Sequence, residues 1–308
     1  MTAYNALYYQ TLVDGATMAT ATGHAGLAAQ YTAQAAKLKA KITATLFNQT
    51  TGTYNLSNTV TNVVAQDANA YAIEYGVAPA GKVPGVLAAL KSTLWTAKGS
   101  VPYSGTAYSD IESPYVTGAE LAARFGSDDT ANAVTLLQNE WGPMITPGDL
   151  YTGTFWENES TSGTQGSSST SMAHGWSTAP TSALSEYVLG IQPIAAGYKT
   201  WSVKPQPGTL SCTQGQAPTP HGALGVKWSH DAKAGSFAMQ VTAPKGTSGT
   251  ISVSTFGSSV DVVVNGRTVW SHGHAATQHG KASATLTGGY VNVPVGSGAF
   301  SVSTRLSR

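Results

Sequence analysis

Charged residues are scarce in this chain. Lys, Arg, Asp and Glu together make up 10% of its 308 residues, and the formal net charge is +1. Globular domains usually carry about a quarter charged residues, and nucleic-acid binding needs a concentrated basic stripe. The composition therefore argues against a nucleic-acid partner and against an anionic membrane surface.

Cysteine and long apolar runs are also lacking. Cys212 is the one cysteine, so no internal disulfide can form, and its neighbours Ser211 and Thr213 offer no base that would activate a thiol. No apolar run approaches the roughly 20 residues that span a bilayer. The N-terminus has no basic region followed by an apolar stretch, so it is not a signal peptide.

Metal and cofactor motifs are missing as well. The sequence contains neither a phosphate loop nor a dinucleotide fingerprint. His272, His274 and His279 lie in a Gly-rich stretch without a nearby carboxylate or thiol to complete a ligand set. We therefore expect no metal and no cofactor.

Glycine and small hydroxyl residues take the place of the missing charge. Such a neutral surface favours an extracellular protein that acts on uncharged ligands. Glycosylation sequons at Asn48, Asn55 and Asn158 point the same way. We therefore expect a secreted protein.

Helical spacing of apolar and small residues dominates residues 1–200. The pattern predicts about seven helices, with capping residues or Pro at several starts and Gly at several ends. They are two helices over 4–46 that break near Gly23, then helices over 67–75, 83–95, 111–125, 130–141 and 177–189.

The pattern changes to strand-like alternation after Trp201. Short runs of β-branched and aromatic residues recur between turn residues, and Asn265-Gly266 is a strong hairpin signal. Seven or eight such runs in about 100 residues predict an antiparallel β-sandwich. The expected plan is multidomain α and β, with a helical domain over 1–200 and a sandwich over 201–308.

The segment from Tyr151 to Ser177 contains the strongest candidate site. Trp156 and Glu157 are followed by a Ser-rich loop and then by His174 and Trp176. Sugars stack on aromatic faces, and carboxylates cleave their acetal bonds. The pattern therefore favours carbohydrate chemistry, although Glu157 could equally be a loop carboxylate and the two indoles could be core residues.

Four other acidic residues are weaker candidates. Glu159 lies in a sequon and is expected in a solvated loop. Asp110 and Glu112 precede a predicted helix, where carboxylates stabilise the helix dipole. Asp67 is also at a helix start, and we predict that it faces the mouth of a pocket and binds substrate.

A series of motifs in this order resembles the α-L-rhamnosidases of the inverting six-hairpin class. The helical part contributes Gln66–Gly76, Ser113–Gly118, Trp141–Pro143, Gly153–Glu157, Ser171–His174 and Pro180–Tyr187. The tail contributes Gly197–Trp201, Pro218–Gly222 and Trp228. The resemblance covers nearly the whole chain.

The resemblance implies an (α/α)6 toroid of twelve helices, of which this chain supplies about seven, followed by a C-terminal sandwich. It implies that Glu157 is the base that activates water and that His174 is a pocket residue. Trp156 and Trp176 would shape the pocket. The family's general acid lies in an acidic, Arg-containing loop, and no such loop occurs between Met1 and Ala80. We therefore expect half of an active site, completed by a missing N-terminal half or a dimer partner.

Three functions remain open from the sequence. The first is hydrolysis of terminal α-L-rhamnosyl linkages with inversion, on a rhamnosylated glycoside or polysaccharide. The second is a non-catalytic carbohydrate-binding fragment. The third is another toroid enzyme, either a hydrolase or a lyase.

Overall fold

The structure, a computed structural model, describes residues 1–105, 110–278 and 281–307. The chain forms two compact units, Met1–Pro180 and Thr181–Arg308. In the sequence, this division lies before residue 200, where the boundary between helices and strands was predicted, and the first strand of the second unit starts at Ile191.

Helices dominate the first unit, and the predicted number of seven is confirmed among the described residues, with the seventh running across the Pro180–Thr181 boundary into the second unit. They are α1 (Thr2–Ala21), α2 (Ala25–Leu46), α3 (Gln66–Glu74), α4 (Val83–Leu94), α5 (Pro114–Gly126), α6 (Thr130–Ile145) and α7 (Ala179–Ala183), which continues as a π-helical turn over Leu184–Val188. Four short strands accompany them: β1 (Phe47–Asn48), β2 (Thr53–Tyr54), β3 (Ile111–Glu112) and β4 (Glu159–Ser160).

Two helix bounds differ from the prediction for local reasons. The fifth helix starts at Pro114 rather than at Ile111, because residues 111–112 pair with β4 instead. Pro at a first helical position costs no hydrogen bond. The sixth helix passes through Pro143 and ends at Ile145, since a proline in the last turn removes only one backbone bond near the helix end.

The core of the first unit lies between α1–α2 and α3–α4. Gly23 adopts φ +78° in the α1–α2 turn, a conformation that glycine adopts without a steric cost. The buried side chains are mostly alanine and aliphatic residues, with two tyrosines: Ala3, Ala6, Ile42, Leu46, Tyr54, Tyr71, Ile73, Leu87, Leu90 and Leu94. The opposite face of α1 exposes large side chains, among them Tyr4, Tyr8 and Met18.

A buried ion pair fixes the end of α5. The Arg124 guanidinium lies 2.6 Å from Glu120 and 2.5 Å from Asp129, and the Arg124 and Glu120 side chains are fully buried. Glu120 also accepts hydrogen bonds from Gln66 at 2.8 Å and from the Trp95 indole at 2.8 Å. The carboxylate is therefore fully satisfied inside the helical core, which is the condition for burying a charge.

Two sheets build the second unit. The smaller contains β5 (Ile191–Pro193), β6 (Thr200–Val203), β10 (Ser248–Ser254), β16 (Thr285–Thr287) and β17 (Tyr290–Val295), in the order β16-β17-β10-β6-β5. The larger has the order β13-β12-β11-β18-β9-β8-β7. Its strands are β7 (Cys212–Ala217), β8 (Leu224–Asp231), β9 (Ser236–Ala243), β11 (Val260–Val264), β12 (Arg267–Ser271), β13 (His274–Ala275) and β18 (Gly298–Leu306). A separate two-stranded ribbon joins β14 (Thr277–Gln278) to β15 (Lys281–Ala282).

Strand pairing is antiparallel except between β6 and β10, which run parallel. The alternation in β9, where every second residue is buried, reflects one face packed on a core and one exposed. Both sheets contribute buried side chains: Trp201, Val203, Ile251, Val253, Val291 and Val293 from the smaller, and Val226, Trp228, Phe237, Met239, Val241 and Val302 from the larger. The predicted sandwich is therefore present.

Membrane insertion finds no support in the helices. In the described ranges, no helix combines the length and the apolarity that a bilayer span requires.

Replacing Arg124 by Met should strongly destabilise the first unit. The Glu120 carboxylate would remain buried without its cation, and breaking a buried pair in this way costs about 3–5 kcal/mol. Asp129→Asn should cost less, because the side chain of Asp129 is 24% exposed. Urea unfolding followed by circular dichroism measures both. Equal effects of the two substitutions would contradict this account of the ion pair.

Gly249→Ala should destabilise the second unit by about 1–3 kcal/mol through overpacking. A Cβ at Gly249 would lie 2.3 Å from the ring of the buried Trp201 and 2.5 Å from its carbonyl oxygen. Gly296→Ala is the matched control, since no atom lies within 4 Å of the added Cβ. Thermal unfolding should separate the two variants, and equal melting temperatures would refute the close packing of β10 on β6.

Candidate functional site

Two backbone arms lie side by side in the segment between α6 and α7. The amide of Glu157 donates to the carbonyl of Ser171 at 2.9 Å, and the amide of His174 donates to the carbonyl of Phe155 at 2.9 Å. The Ser177 hydroxyl donates to the carbonyl of Trp156 at 2.5 Å. These bonds bring the two motifs predicted as a site, residues 151–157 and 171–177, into direct contact.

The Glu157 carboxylate is held by this pairing. Its Oε2 accepts a hydrogen bond from the Ser171 amide at 3.0 Å, and its backbone carbonyl accepts one from the Trp176 indole at 3.3 Å. The side chain is half-buried. One carboxylate oxygen is therefore fixed by a backbone N–H group, and the other accepts no hydrogen bond from the residues that the structure describes.

The two tryptophans predicted as sugar platforms have different environments. Trp156 is fully buried, its amide donates to the Met144 sulfur at 3.3 Å, and its indole N–H donates to the Thr152 hydroxyl at 3.0 Å. Its ring faces contact protein, so the platform role predicted for Trp156 is wrong. The buried ring instead holds residues 155–157 against the core. Large aromatic rings next to a site often serve as core in this way.

Trp176 is exposed and belongs to an aromatic cluster. The ring is 43% exposed and stacks on His174 with centroids 4.2 Å apart. Tyr115, at the start of α5, lies 5.1 Å from Trp176 and is 47% exposed. Tyr71 of α3 is hydrogen-bonded to Tyr115. We call Tyr71, Tyr115, His174 and Trp176 the aromatic cluster.

His174 has a defined tautomer in this arrangement. Its Nδ1 accepts a hydrogen bond from the Trp176 amide at 3.4 Å, which caps the short 3-10 turn over Gly175–Ser177. A neutral ring whose Nδ1 accepts carries its proton on Nε2. His174 can therefore donate that proton to a ligand hydroxyl while it caps the turn.

Asp67 is in the first turn of α3, as predicted. Its Oδ1 accepts a hydrogen bond from the Ala68 amide at 2.7 Å, and burial raises the pKa of the carboxyl. Residues four apart share a helix face, so Asp67 lies on the same face as Tyr71 of the aromatic cluster. Its predicted role in substrate binding stays a prediction.

Two acidic residues are more deeply buried than expected. Glu159 is fully buried in β4 and is not in a solvated loop, so that prediction is wrong. Glu112 precedes α5, as predicted, but it is also fully buried in β3. The burial was not predicted because residues 111–112 and 159–160 pair as strands and bring the two side chains inside. Burial raises the pKa of Glu112 to about 7 and that of Glu159 to about 9.

Two residues near the site were not identified from the sequence. Tyr115 lies in the Ser113–Gly118 motif of the family resemblance, but nothing in that motif singled it out as a site residue. Glu140 had a signal: it lies one helical turn from Leu136 and from Met144, both buried on the inner face of α6. A charged residue on an apolar helix stripe indicates a buried polar group.

Metal ligation receives no support from the described residues. They contain no group of three or more His, Cys, Asp or Glu side chains arranged to hold an ion. Of the histidines considered above, His272 lies in the turn between β12 and β13, His274 is the first residue of β13, and His279 lies outside the described residues.

Three solved structures resemble the chain along almost its whole length. The α-L-rhamnosidase of Dictyoglumus thermophilum gives a TM-score of 0.69 at 15% identity and covers 97% of this chain. The Streptomyces avermitilis enzyme complexed with L-rhamnose gives 0.65 at 15% identity over 97%, and the native Aspergillus terreus enzyme gives 0.64 at 15% over 96%. The chain spans 31%, 26% and 29% of these three proteins, respectively. No curated protein matches it by sequence.

Two family models match consecutive parts of the chain. The bacterial α-L-rhamnosidase six-hairpin glycosidase domain matches residues 2–188, and the bacterial α-L-rhamnosidase C-terminal domain matches residues 190–268. The first match alone covers more than half of the chain. The chain therefore belongs to the bacterial α-L-rhamnosidase family, with part of the six-hairpin glycosidase domain followed by the C-terminal sandwich.

Proposed function

We propose that this chain carries the base side of an inverting α-L-rhamnosidase active site. The observation that carries the proposal is the position of Glu157, which is fixed by the Ser171 amide and bonded through its carbonyl to the exposed Trp176. A carboxylate beside an exposed indole can hold a water molecule against a sugar stacked on that indole. Membership of the family supports rhamnose as that sugar.

In the proposed reaction, Glu157 accepts a proton from water as the water attacks the anomeric carbon. Inversion requires the two carboxyl groups to be about 6.5–9.5 Å apart, which leaves room for the water. The general acid would come from a segment other than this chain, as the family resemblance implies. An activated aryl leaving group departs without protonation, so such a substrate tests the base side separately.

His174 and the aromatic cluster would bind the sugar ring. Trp176 offers an exposed face to the C–H groups and the methyl group of a deoxysugar, which is a typical aromatic–sugar contact. The Nε2–H group of His174 would donate to a ring hydroxyl. Asp67, on the Tyr71 face of α3, would accept from another hydroxyl.

We also propose that the protein acts outside the cell on rhamnosylated glycosides or polysaccharides. The low charge and the hydroxyl-rich composition support this setting. The exposed side chains of α1 support a partner segment on that face, in the form of further helices or a second copy.

Glu157→Gln should lower the hydrolysis of 4-nitrophenyl α-L-rhamnoside by about 10²–10⁴-fold, the usual contribution of a general base. Asp231→Asn, a turn substitution in the second unit, is the control and should keep full activity. Proton NMR of the first product formed should show the β-anomer of rhamnose. Full activity of the Glu157 variant, or an α-anomer as first product, would refute the assignment. Sugar binding without turnover in the unchanged chain would favour a carbohydrate-binding fragment.

Trp176→Ala should weaken L-rhamnose binding by about threefold to tenfold, because an aromatic contact contributes about 0.5–1.5 kcal/mol. Trp176→Phe should retain part of the affinity, and Tyr4→Ala, on the exposed face of α1, should retain all of it. Isothermal titration calorimetry measures the three variants. An unchanged affinity in the Trp176→Ala variant would remove this ring from the proposed site.

A further inference from the structure

Three glutamates meet in the core of the first unit. Glu112 of β3 and Glu159 of β4 are cross-strand partners in the β3–β4 pair, and Glu140 comes from the last third of α6. All three residues are 0% exposed. Charged residues are almost never fully buried without a partner, so this group needs a physical explanation.

The three carboxyl groups share one small space. A Cβ placed on Gly99 would lie 2.5 Å from Glu140 Oε2 and 2.9 Å from Glu112 Oε2. Both oxygens therefore contact the same point of the backbone, and the Ser100 amide donates to Glu140 Oε2 at 3.3 Å. Glu159 is close enough to Glu112 and Glu140 to interact with both electrostatically. Only glycine at position 99 leaves room for this approach.

Few groups offset the cost of burying these three carboxyl groups. The Thr96 hydroxyl donates to Glu112 Oε1, and Thr117 of α5 bonds to Glu140. In the described part of the chain, Glu112 Oε2, Glu140 Oε1 and both oxygens of Glu159 have no hydrogen-bond partner.

Among the residues that the structure describes, Lys98 is the cation that acts on this space, through Glu112 and Glu159. One cation cannot balance three buried negative charges, and like charges in a dry site cannot all ionise. The remaining compensation has to come from bound protons.

We propose that Glu112, Glu140 and Glu159 form a proton-holding cluster that positions the strand beside the candidate base. While the carboxyls hold their protons, β3 and β4 stay paired. When the carboxyls ionise, mutual repulsion separates the two strands. The glutamates are positioning residues, and none of them takes part in the reaction.

The cluster acts on Glu157 through the backbone. β4 starts two residues after Glu157, and Glu159 also bridges to Gln165 within the Ser-rich loop. Separation of β3 from β4 would loosen the arm that presents Glu157 to Ser171. This effect on activity rests on the proposed function, whereas the effect on folding does not.

The direction of the pH dependence follows from the raised pKa values. A glutamate whose pKa is raised in the folded state, to about 7 for Glu112 and about 9 for Glu159, holds a proton that the unfolded chain has lost. Its stabilising contribution is complete below the unfolded pKa of about 4.3 and is lost as the pH rises through the folded value. The stability of the first unit should therefore fall from about pH 5 to about pH 9.

The test compares the pH dependence of unfolding in the unchanged chain, Glu159→Gln and Glu157→Gln. Glutamine resembles a protonated glutamate but cannot ionise. In Glu159→Gln, the free energy of unfolding should therefore fall less steeply with pH, by the equivalent of about one bound proton. This variant should be more stable than the unchanged chain at pH 9. Glu157→Gln is the matched control and should keep the original decline while it loses hydrolysis. A failure of the proposed function would thus show in the Glu157 variant alone.

Calorimetry of the unchanged chain gives a measurement that needs no variant. Unfolding at pH 8, in buffers of different ionisation enthalpy, should release about one to two protons. No proton release, or an unaltered decline in Glu159→Gln, would overturn the proposal. Stabilisation at pH 8 by added calcium that disappears in Glu159→Gln would also overturn it, because the cluster would then hold a cation and not protons.

Discussion

The backbone pairing between residues 155–157 and 171–174 is the constraint on which the candidate site depends. The bond from the Glu157 amide to Ser171, and the return bond from the Ser171 amide to the Glu157 carboxylate, fix the acid in position and direction. The same pairing brings Trp176 and His174 over Glu157. Trp156 packs in the core, whereas Trp176 on the paired segment is exposed. The segment is therefore held on its buried side and open to solvent on the other. A pre-organised arm of this kind suits a group that must hold one water molecule in a precise position.

The chain carries few charges and buries several of them. Glu120 and Arg124 form a satisfied pair at the end of α5, whereas Glu112, Glu140 and Glu159 are buried together and Lys98 acts on the first and the last of them. In the first group the charges are paired, and in the second we propose that bound protons take the place of a partner. The helical unit thus contains two kinds of buried polar structure. The second kind makes the region around β3 and β4 sensitive to pH.

The sequence predicted the architecture because apolar periodicity and the capping and turn residues between elements are local signals. The helix pattern up to Leu46, the turn at Gly23 and the strands around Asn265-Gly266 were all found in the structure. The β3–β4 pair could not be predicted, since two-residue strands have no period. That omission explains why the burial of Glu112 and Glu159 was not predicted. Motif order and spacing identified the family, which the matches to residues 2–188 and 190–268 confirmed.

The site was predictable in part for the same reason. Glu157, His174 and Trp176 are close in sequence, and the structure brings the three together. Tyr115 and Tyr71 come from other helices, and only the tertiary fold places them beside Trp176. The different environments of Trp156 and Trp176 depend on which ring faces the core, and the composition of a loop does not determine this.

A crystal structure of the chain with bound L-rhamnose tests the central claim most directly. The account predicts a sugar ring stacked on Trp176, with its anomeric carbon facing the Glu157 carboxylate across a single water molecule. A hydrogen bond from His174 Nε2 to a sugar hydroxyl should accompany it. Rhamnose bound elsewhere, or bound with its anomeric carbon directed away from Glu157, would contradict the account.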